Sequence, residues 1–544
     1  MEFSGSVAGV SAPKAHGQRQ LAIDGLAGVA RGGLANLAGA GFAGLAGLAV
    51  VWLVARSLGP AAAGMFFTAV ASFTLVVVVA RLGTPTGLVY WVARLRTEGR
   101  PDLLGACLRA GITPVAGAGA ALAAGLWLAA PQLARLTTGA DPAATGATTA
   151  ALRALALFLP AAALTEALLA ATRGHRLMRP TVVLEKLLRP GLQLLGIGAL
   201  AGAALWLAVP LAAWPVAWAA PYLPVLLLAG YAAARTGSGI GYPAARTAPG
   251  ADGGVRPGGE PVPAVAGAFW RFTGPRAVAS VLQQALQRLD ILLVAALAGP
   301  AAAAIYTVAG RFVLLGQLVN QAVGHSVQPR LAERLSAGDT AAAGALFRAA
   351  TGWLVLTTWP LYLLVAGLAP VYLGLFGPPY RTAGAVVAVL AAAMLLASAC
   401  GTVDMLLAMA GRTGWNLLNV GLALATMVAA DLLLVPRHGA LGAAVGLAAA
   451  VAVNNLLPLA QVAYALRVHP FGAGTLLAAG LATGCFGVFP AVVTAVAGSG
   501  PLVLAGTVAA ALAGYAGLAR RLRHPLALTT LTTLLGKGRQ QHAP

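Results

Sequence analysis

Six polar residues recur along one apolar stretch of the chain: Thr273, Arg276, Ser280, Gln283, Gln287 and Asp290. Separations of 3, 4, 3, 4 and 3 residues put them on one face of a helix. The next apolar stretch carries Arg311, Gln317, Asn320, Gln321, His325 and Gln328. Neither set has the make-up of a catalytic centre. The sequence contains no HExxH, P-loop or nucleophile elbow, and Gly237, Gly239 and Gly241 do not follow a strand. Cys107, Cys400 and Cys485 are far apart, and the histidines have no metal-ligand spacing, so no metal and no cofactor is expected. What the two stripes can do is line a wet cleft. The alternative is hydrogen bonding between helices inside a packed bundle.

The charges refine this chemistry. Asp290 lies 9 residues before Gly299 and Arg311 lies 12 after it. At about 1.5 Å per residue both sit roughly 13–18 Å from that turn, so they could pair. Arg288 points away from Asp290, two residues on. One arginine is then left over, and a guanidinium in a cleft suits a phosphate or carboxylate, which it grips bidentately. A buried pair plus a snorkelling arginine is the plainer reading. The expected cavity set is therefore Arg276, Gln283, Gln287, Arg288, Asp290, Arg311, Gln317, Asn320 and Gln321. Glu166 and Asp404, in matching places on two other apolar runs, could couple an ion such as H+ or Na+, or could pair with Arg176 and Arg412. Asp431, close to Arg437, reads as interfacial.

The elements that would hold these residues follow from composition. Of 544 residues 59% are apolar and 9% charged, with a mean hydropathy of +0.84. Soluble chains carry about 25% charge, so a soluble enzyme and a disordered chain are both excluded. A net charge of +21 suggests nucleic acid until the charges are located, in short loops between apolar runs. Crossing roughly 30 Å of hydrocarbon takes about 20 mostly apolar residues. Such runs lie near 33–55, 64–80, 106–130, 147–171, 182–207, 211–233, 271–298, 304–328, 346–368, 383–409, 414–435, 441–466, 472–497 and 501–519. The expected class is thus all-α, a polytopic membrane protein with about fourteen transmembrane helices. Sorted onto these spans, 28 of the 35 Lys and Arg fall on the side of the termini and five on the other. Both termini are therefore expected to be cytoplasmic.

The chain also repeats. Leu53-Val54-Ala55 and Gly59-Pro60-Ala61-Ala62-Ala63 recur 240 residues later as Leu293-Val294-Ala295 and Gly299-Pro300-Ala301-Ala302-Ala303. Glu166-Ala167-Leu168-Leu169-Ala170 matches Asp404-Met405-Leu406-Leu407-Ala408 at an offset of 238. A period of six spans implies two parallel lobes facing each other across a cleft. The expected organisation is a cytoplasmic arm (1–32), an N-lobe (33–234), a Gly/Pro-rich linker (235–265), a C-lobe (266–467), two more spans (472–519) and a basic tail (520–544).

Loose motifs in a fixed order point to a family. Leu58-Gly59-Pro60 with Gly64, and Leu289-Asp290-Ile291 followed by Tyr306, Ala309 and Arg311, are two of them. Pro329-Arg330-Leu331, Leu375-Phe376-Gly377 with Tyr380, Ala410-Gly411-Arg412 and Gly439-Ala440-Leu441-Gly442-Ala443-Ala444 are the others. Together, from about residue 30 to 467, they resemble the polysaccharide-biosynthesis (Wzx-type) flippases of the multidrug/oligosaccharidyl-lipid/polysaccharide (MOP) superfamily. The resemblance implies two pseudo-symmetric, MATE-like six-helix lobes that alternate access to a central cavity. It implies a lipid-linked oligosaccharide as substrate, carried across the bacterial plasma membrane, with polysaccharide synthesis machinery as a partner and no enzymatic step. A peptidoglycan-precursor flippase is a close variant. Cation-coupled multidrug exporters of the same superfamily generally carry an acid in the first span, and residues 33–55 contain none. A membrane glycosyltransferase would need large outer loops with acidic pairs, and these are missing.

Overall fold

A computed structural model describes residues 14–139, 141–237, 262–312, 314–498 and 500–526. Side chains are described from residue 36 onward within these stretches, except at 236–237, 262–264, 314, 315, 318, 322, 325 and 413. The described residues form helices joined by turns, with no strand among them. The chain runs α1 (Lys14–Ala80), α2 (Thr84–Thr97), α3 (Leu104–Thr138), α4 (Pro142–Ala156) and α5 (Leu159–Gly174). A π-helical turn, Thr181–Leu188, leads into α6 (Arg189–Ala203), followed by α7 (Ala213–Ala219) and α8 (Tyr222–Gly237). Most of the expected linker lies outside the described residues. Beyond it come α9 (Val262–Ala298), α10 (Pro300–Arg311), α11 (Leu314–Ser336), α12 (Thr340–Gly367), α13 (Ala369–Phe376) and α14 (Gly384–Cys400). The last six are α15 (Val403–Met409), α16 (Thr413–His438), α17 (Ala440–Leu466), α18 (Ala473–Thr483), α19 (Phe489–Ala497) and α20 (Pro501–Arg521).

Eleven stretches among the described residues are long and apolar enough to cross a membrane, against the fourteen expected. The first two expected spans belong to one stretch, Asn36–Thr97, bent at Gly59. The expected spans 182–207 and 304–328 are not among the eleven. Glu185, Lys186 and Arg189 dilute the first, and the second crosses residue 313, which lies outside the described residues.

The sequence repeat has a local structural counterpart. Gly59 (φ 72°, ψ 174°) and Gly299 (φ 85°, ψ 168°) share one backbone conformation, a region that side chains essentially exclude. Each is followed by a proline that restarts the helix, which suits a ring with no N–H to offer. Gly59→Ala or Gly299→Ala should therefore cost about 1–3 kcal/mol, read as a lower melting temperature of the purified protein. Gly47→Ala, with nothing within 4 Å of the new methyl group, should be neutral. Equal melting temperatures for all three variants would refute the strained turn.

Close backbone approaches join the first half of the chain to the second at both ends of the bundle. At one end Gly64 of α1 abuts the Pro300 carbonyl of α10, where a Cβ would collide with backbone. At the other, Gly83, Gly87 and Gly111 let α9 settle on α2 and α3. A Cβ on Gly83 would lie 2.7 Å from the Ala277 nitrogen, and one on Gly111 3.2 Å from the Phe269 ring. Such small residues are how membrane helices gain contact where lipid offers no hydrophobic drive. Two main cores result. Phe66, Phe67 and Trp214 pack with Val294, Tyr306 and Tyr380 in one. Phe73, Leu88, Leu152 and Leu155 take in Phe269 in the other. The last helices lean on α12, where the Tyr515 hydroxyl donates to the Leu356 carbonyl.

Candidate functional site

The polar face of α9 borders two cavities. The first, of about 240 Å³, takes Gln283, Gln287, Arg288 and Asp290 from α9, Tyr306, Thr307 and Arg311 from α10, and Gln317 from α11. Leu390 and Met394 of α14 and Leu447, Val451 and Asn454 of α17 complete its wall. Its described lining thus comes from the second half of the chain alone. The second cavity, of about 280 Å³, lies between the halves. Val78, Arg81, Gly83, Pro85, Thr86 and Glu166 face Ser280, Gln283, Gln284 and Gln287 across it. Gln283 and Gln287 border both, so the stripe read from the sequence forms a polar track from one to the other.

Six of the nine expected cavity residues come together in the first cavity. The other three do not. Asn320 and Gln321 are exposed on α11, and Arg276 is exposed beside a groove near the basic loops that adjoins the second cavity at Pro85 and Thr86. Arg288, expected to point away from Asp290, lines the same cavity, because the cavity wraps round α9 from Gln287 to Ile291.

The expected Asp290–Arg311 ion pair is not formed. Asp290, only 4% exposed, accepts instead from the Ile291 amide at 2.8 Å and from the Tyr306 hydroxyl at 2.5 Å. Tyr306, one turn and a half before Arg311 on α10, reaches the carboxylate first. Two arginines are therefore left over rather than one. Among the described residues neither Arg288 nor Arg311 has an ion pair or hydrogen-bonded partner, and the Arg288 Nε is buried.

Glu166 pairs with Arg81 at 3.2 Å, not with Arg176. Arg173 and Glu185 approach to 3.9 Å nearby, and Arg189 donates to the Tyr222 hydroxyl at 3.0 Å. Asp404 is exposed at the start of α15 and forms no ion pair with Arg412. Its backbone carbonyl accepts from Asn416 Nδ2 at 2.8 Å. The two acids matched by the repeat thus sit in unlike surroundings.

Asp431 corrects a further expectation. It is fully buried, and neither carboxylate oxygen has a partner. Arg437, six residues on, stands on another face of α16. Asp431 instead presses against Gly446 of α17, where a Cβ would collide with Oδ1, and lies within electrostatic reach of Asp290 and Tyr306. No cluster of three metal-ligating side chains occurs among the described residues. Tyr306, Asn454 and Asp431 were not among the expected site residues. The Asn454-Asn455 pair, in an otherwise apolar run, is the signal that would have found the second.

No family model and no curated protein matches the sequence. Solved structures do share its fold. A lipid II flippase, MurJ, in an inward closed conformation superposes with a TM-score of 0.69 at 11% identity, over 90% of this chain and 98% of that one. An inward-facing multidrug-resistance MATE family transporter of the MOP superfamily gives 0.62 at 15% identity, over 78% and 95%. The eukaryotic MATE transporter AtDTX14 gives 0.54 at 16%, over 84% and 100%. The chain shares the fold of these structures and spans nearly the whole of each of them.

Proposed function

We propose that the chain is an alternating-access flippase of the MOP superfamily. Its substrate on this reading is a polyprenyl-pyrophosphate-linked oligosaccharide, a precursor of cell-surface polysaccharide. The protein would sit in a bacterial plasma membrane with both termini in the cytoplasm, and would transport without a chemical step. One observation carries the reading. Arg288 and Arg311 border a single membrane-depth cavity with neither in an ion pair among the described residues, while Asp290 is held by Tyr306. Unpaired charge at membrane depth is costly and marks a ligand path. Two guanidiniums with amide neighbours suit a phosphorylated, hydroxyl-rich headgroup.

The peptidoglycan-precursor variant shares this chemistry, and the likeness to the MurJ fold favours it as the second reading. Asp431, buried with no partner among the described residues, is costly as a bare anion, which suits a group that takes up a proton or a cation in an ion-coupled cycle.

The test is a leaflet assay. Lipid-linked oligosaccharide is labelled from outside with an impermeant reagent, in cells with and without the protein. Depletion should trap the glycolipid in the inner leaflet, with rescue by wild type but not by Arg311→Ala. Unchanged leaflet distribution with altered sensitivity to cationic drugs would overturn the flippase in favour of an exporter.

A further inference from the structure

A groove of about 720 Å³ opens at the end of the bundle that carries the basic loops, apart from the first cavity and adjoining the second at Pro85 and Thr86. Its size is in the range that takes small ligands. One wall is the outer face of α2. That helix buries Thr84, Gly87, Leu88, Trp91, Val92 and Leu95, which leaves Tyr90 and Arg94 facing out. The other wall is the start of α9, with Phe272 and Arg276, and Arg173 closes the groove from the end of α5.

Tyr90 and Phe272 stack across the groove, ring centroids 4.1 Å apart and 16° from parallel, and so tie the first half of the chain to the second. The Arg276 guanidinium lies 3.7 Å over the Phe272 ring and donates to the Phe272 carbonyl at 2.7 Å. Those two contacts hold the guanidinium in place without neutralising it. Arg94 is paired with Glu98 at 2.6 Å, and Arg173 meets Glu185 at the long distance of 3.9 Å. No carboxylate lines the groove itself.

We propose that this groove binds the phosphate of a lipid headgroup from the cytoplasmic leaflet, gripped by Arg94 and Arg173 from one half and Arg276 from the other. Arginine forks match phosphate oxygens, and the site sits where the positive-inside charge bias places the cytoplasmic surface. A headgroup held on both walls closes the same gap that the Tyr90–Phe272 stack closes. The site goes beyond the transport reading, since it requires nothing of the central cavity. Two sources share the chemistry: a prenyl diphosphate, as on a lipid-linked sugar, and an anionic phospholipid.

Native mass spectrometry of the full chain, with farnesyl pyrophosphate, dioctanoyl phosphatidic acid or dioctanoyl phosphatidylcholine added, tests it. Arg94→Gln/Arg276→Gln should lower adduct formation at least tenfold for one bound anionic lipid, and Arg94→Lys/Arg276→Lys should keep part of it. Both pairs are exposed, and melting temperature checks their folding. Loss confined to the diphosphate assigns the groove to the transported lipid, and equal loss of both anions assigns it to membrane phospholipid. Unchanged binding in the Gln pair, or phosphatidylcholine lost to the same extent, overturns the proposal. Arg311→Gln, run in parallel, should spare this adduct, so that failure of the cavity reading shows separately.

Discussion

A valine at Gly64 should hold the protein open at the end away from the basic loops and cut transport at least tenfold. The added side chain meets the Pro300 carbonyl, and backbone inside a helical start cannot swing aside as a side chain would. The contact can be relieved by moving α10 away from α1. The opposite closure, through Gly83 and Gly87 against α9, is untouched by this change. Overpacking of this kind costs about 1–3 kcal/mol, which shifts a two-state balance by roughly 5- to 150-fold. A cysteine-free background with a single cysteine at Ala296 reports the result, since Ala296 lines a small space with Thr68 and Ser72 between the halves. Its labelling by an impermeant maleimide from outside should rise at least tenfold over the same cysteine in an otherwise unaltered chain. Gly87→Val should do the converse, exposing a cysteine at Ser280 to reagent from the basic side. Labelling that does not respond to either valine would mean the two contacts are not gates.

Residue patterns reveal the turns beside these contacts but not the contacts themselves. Gly59-Pro60 and Gly299-Pro300 were visible as a repeat because a restarting helix needs both residues in that order. The α9 stripe was visible because its spacing matches the helical period over 18 residues. Gly64 stood in the same motif, but its partner, the Pro300 carbonyl, is a backbone atom and leaves no mark in the side-chain pattern. The sequence offers Glu166 a neighbour close along the chain, Arg176, and the structure supplies Arg81, 85 residues away. Asp431 follows the same pattern: it is near Arg437 in the chain, but helical phase puts the two on different faces of α16. The all-helical, MOP-like fold was legible because apolar runs and basic loops are enforced by the bilayer. The site was only partly legible, because which polar group meets which depends on contacts between α9, α10, α16 and α17.

That dependence makes the charge pattern of the cavity testable by exchange. If Asp290 and Arg311 formed a structural pair, Asp290→Arg combined with Arg311→Asp would restore what each change alone destroys. The geometry argues otherwise. Asp290 is satisfied by the Ile291 amide and the Tyr306 hydroxyl, two donors that an arginine in its place would face without any acceptor. An aspartate at 311 would in turn remove a cation from the cavity and leave Arg288 as its remaining lining guanidinium. The double exchange should therefore be as inactive as the worse single variant. Arg311→Gln should lower transport of a phosphorylated substrate roughly 10- to 100-fold, the range expected for hydrogen bonds to charged groups worth about 1.5–3 kcal/mol. Arg311→Lys should keep the charge, lose the bidentate grip and fall between the two. Tyr306→Phe separates the structural half of the argument, because it strips Asp290 of a donor while leaving both arginines in place. It should lower melting temperature more than Arg311→Gln does. Recovery of transport in the double exchange would reverse this assignment, making Arg311 a partner of Asp290 and leaving Arg288 alone to meet the anion.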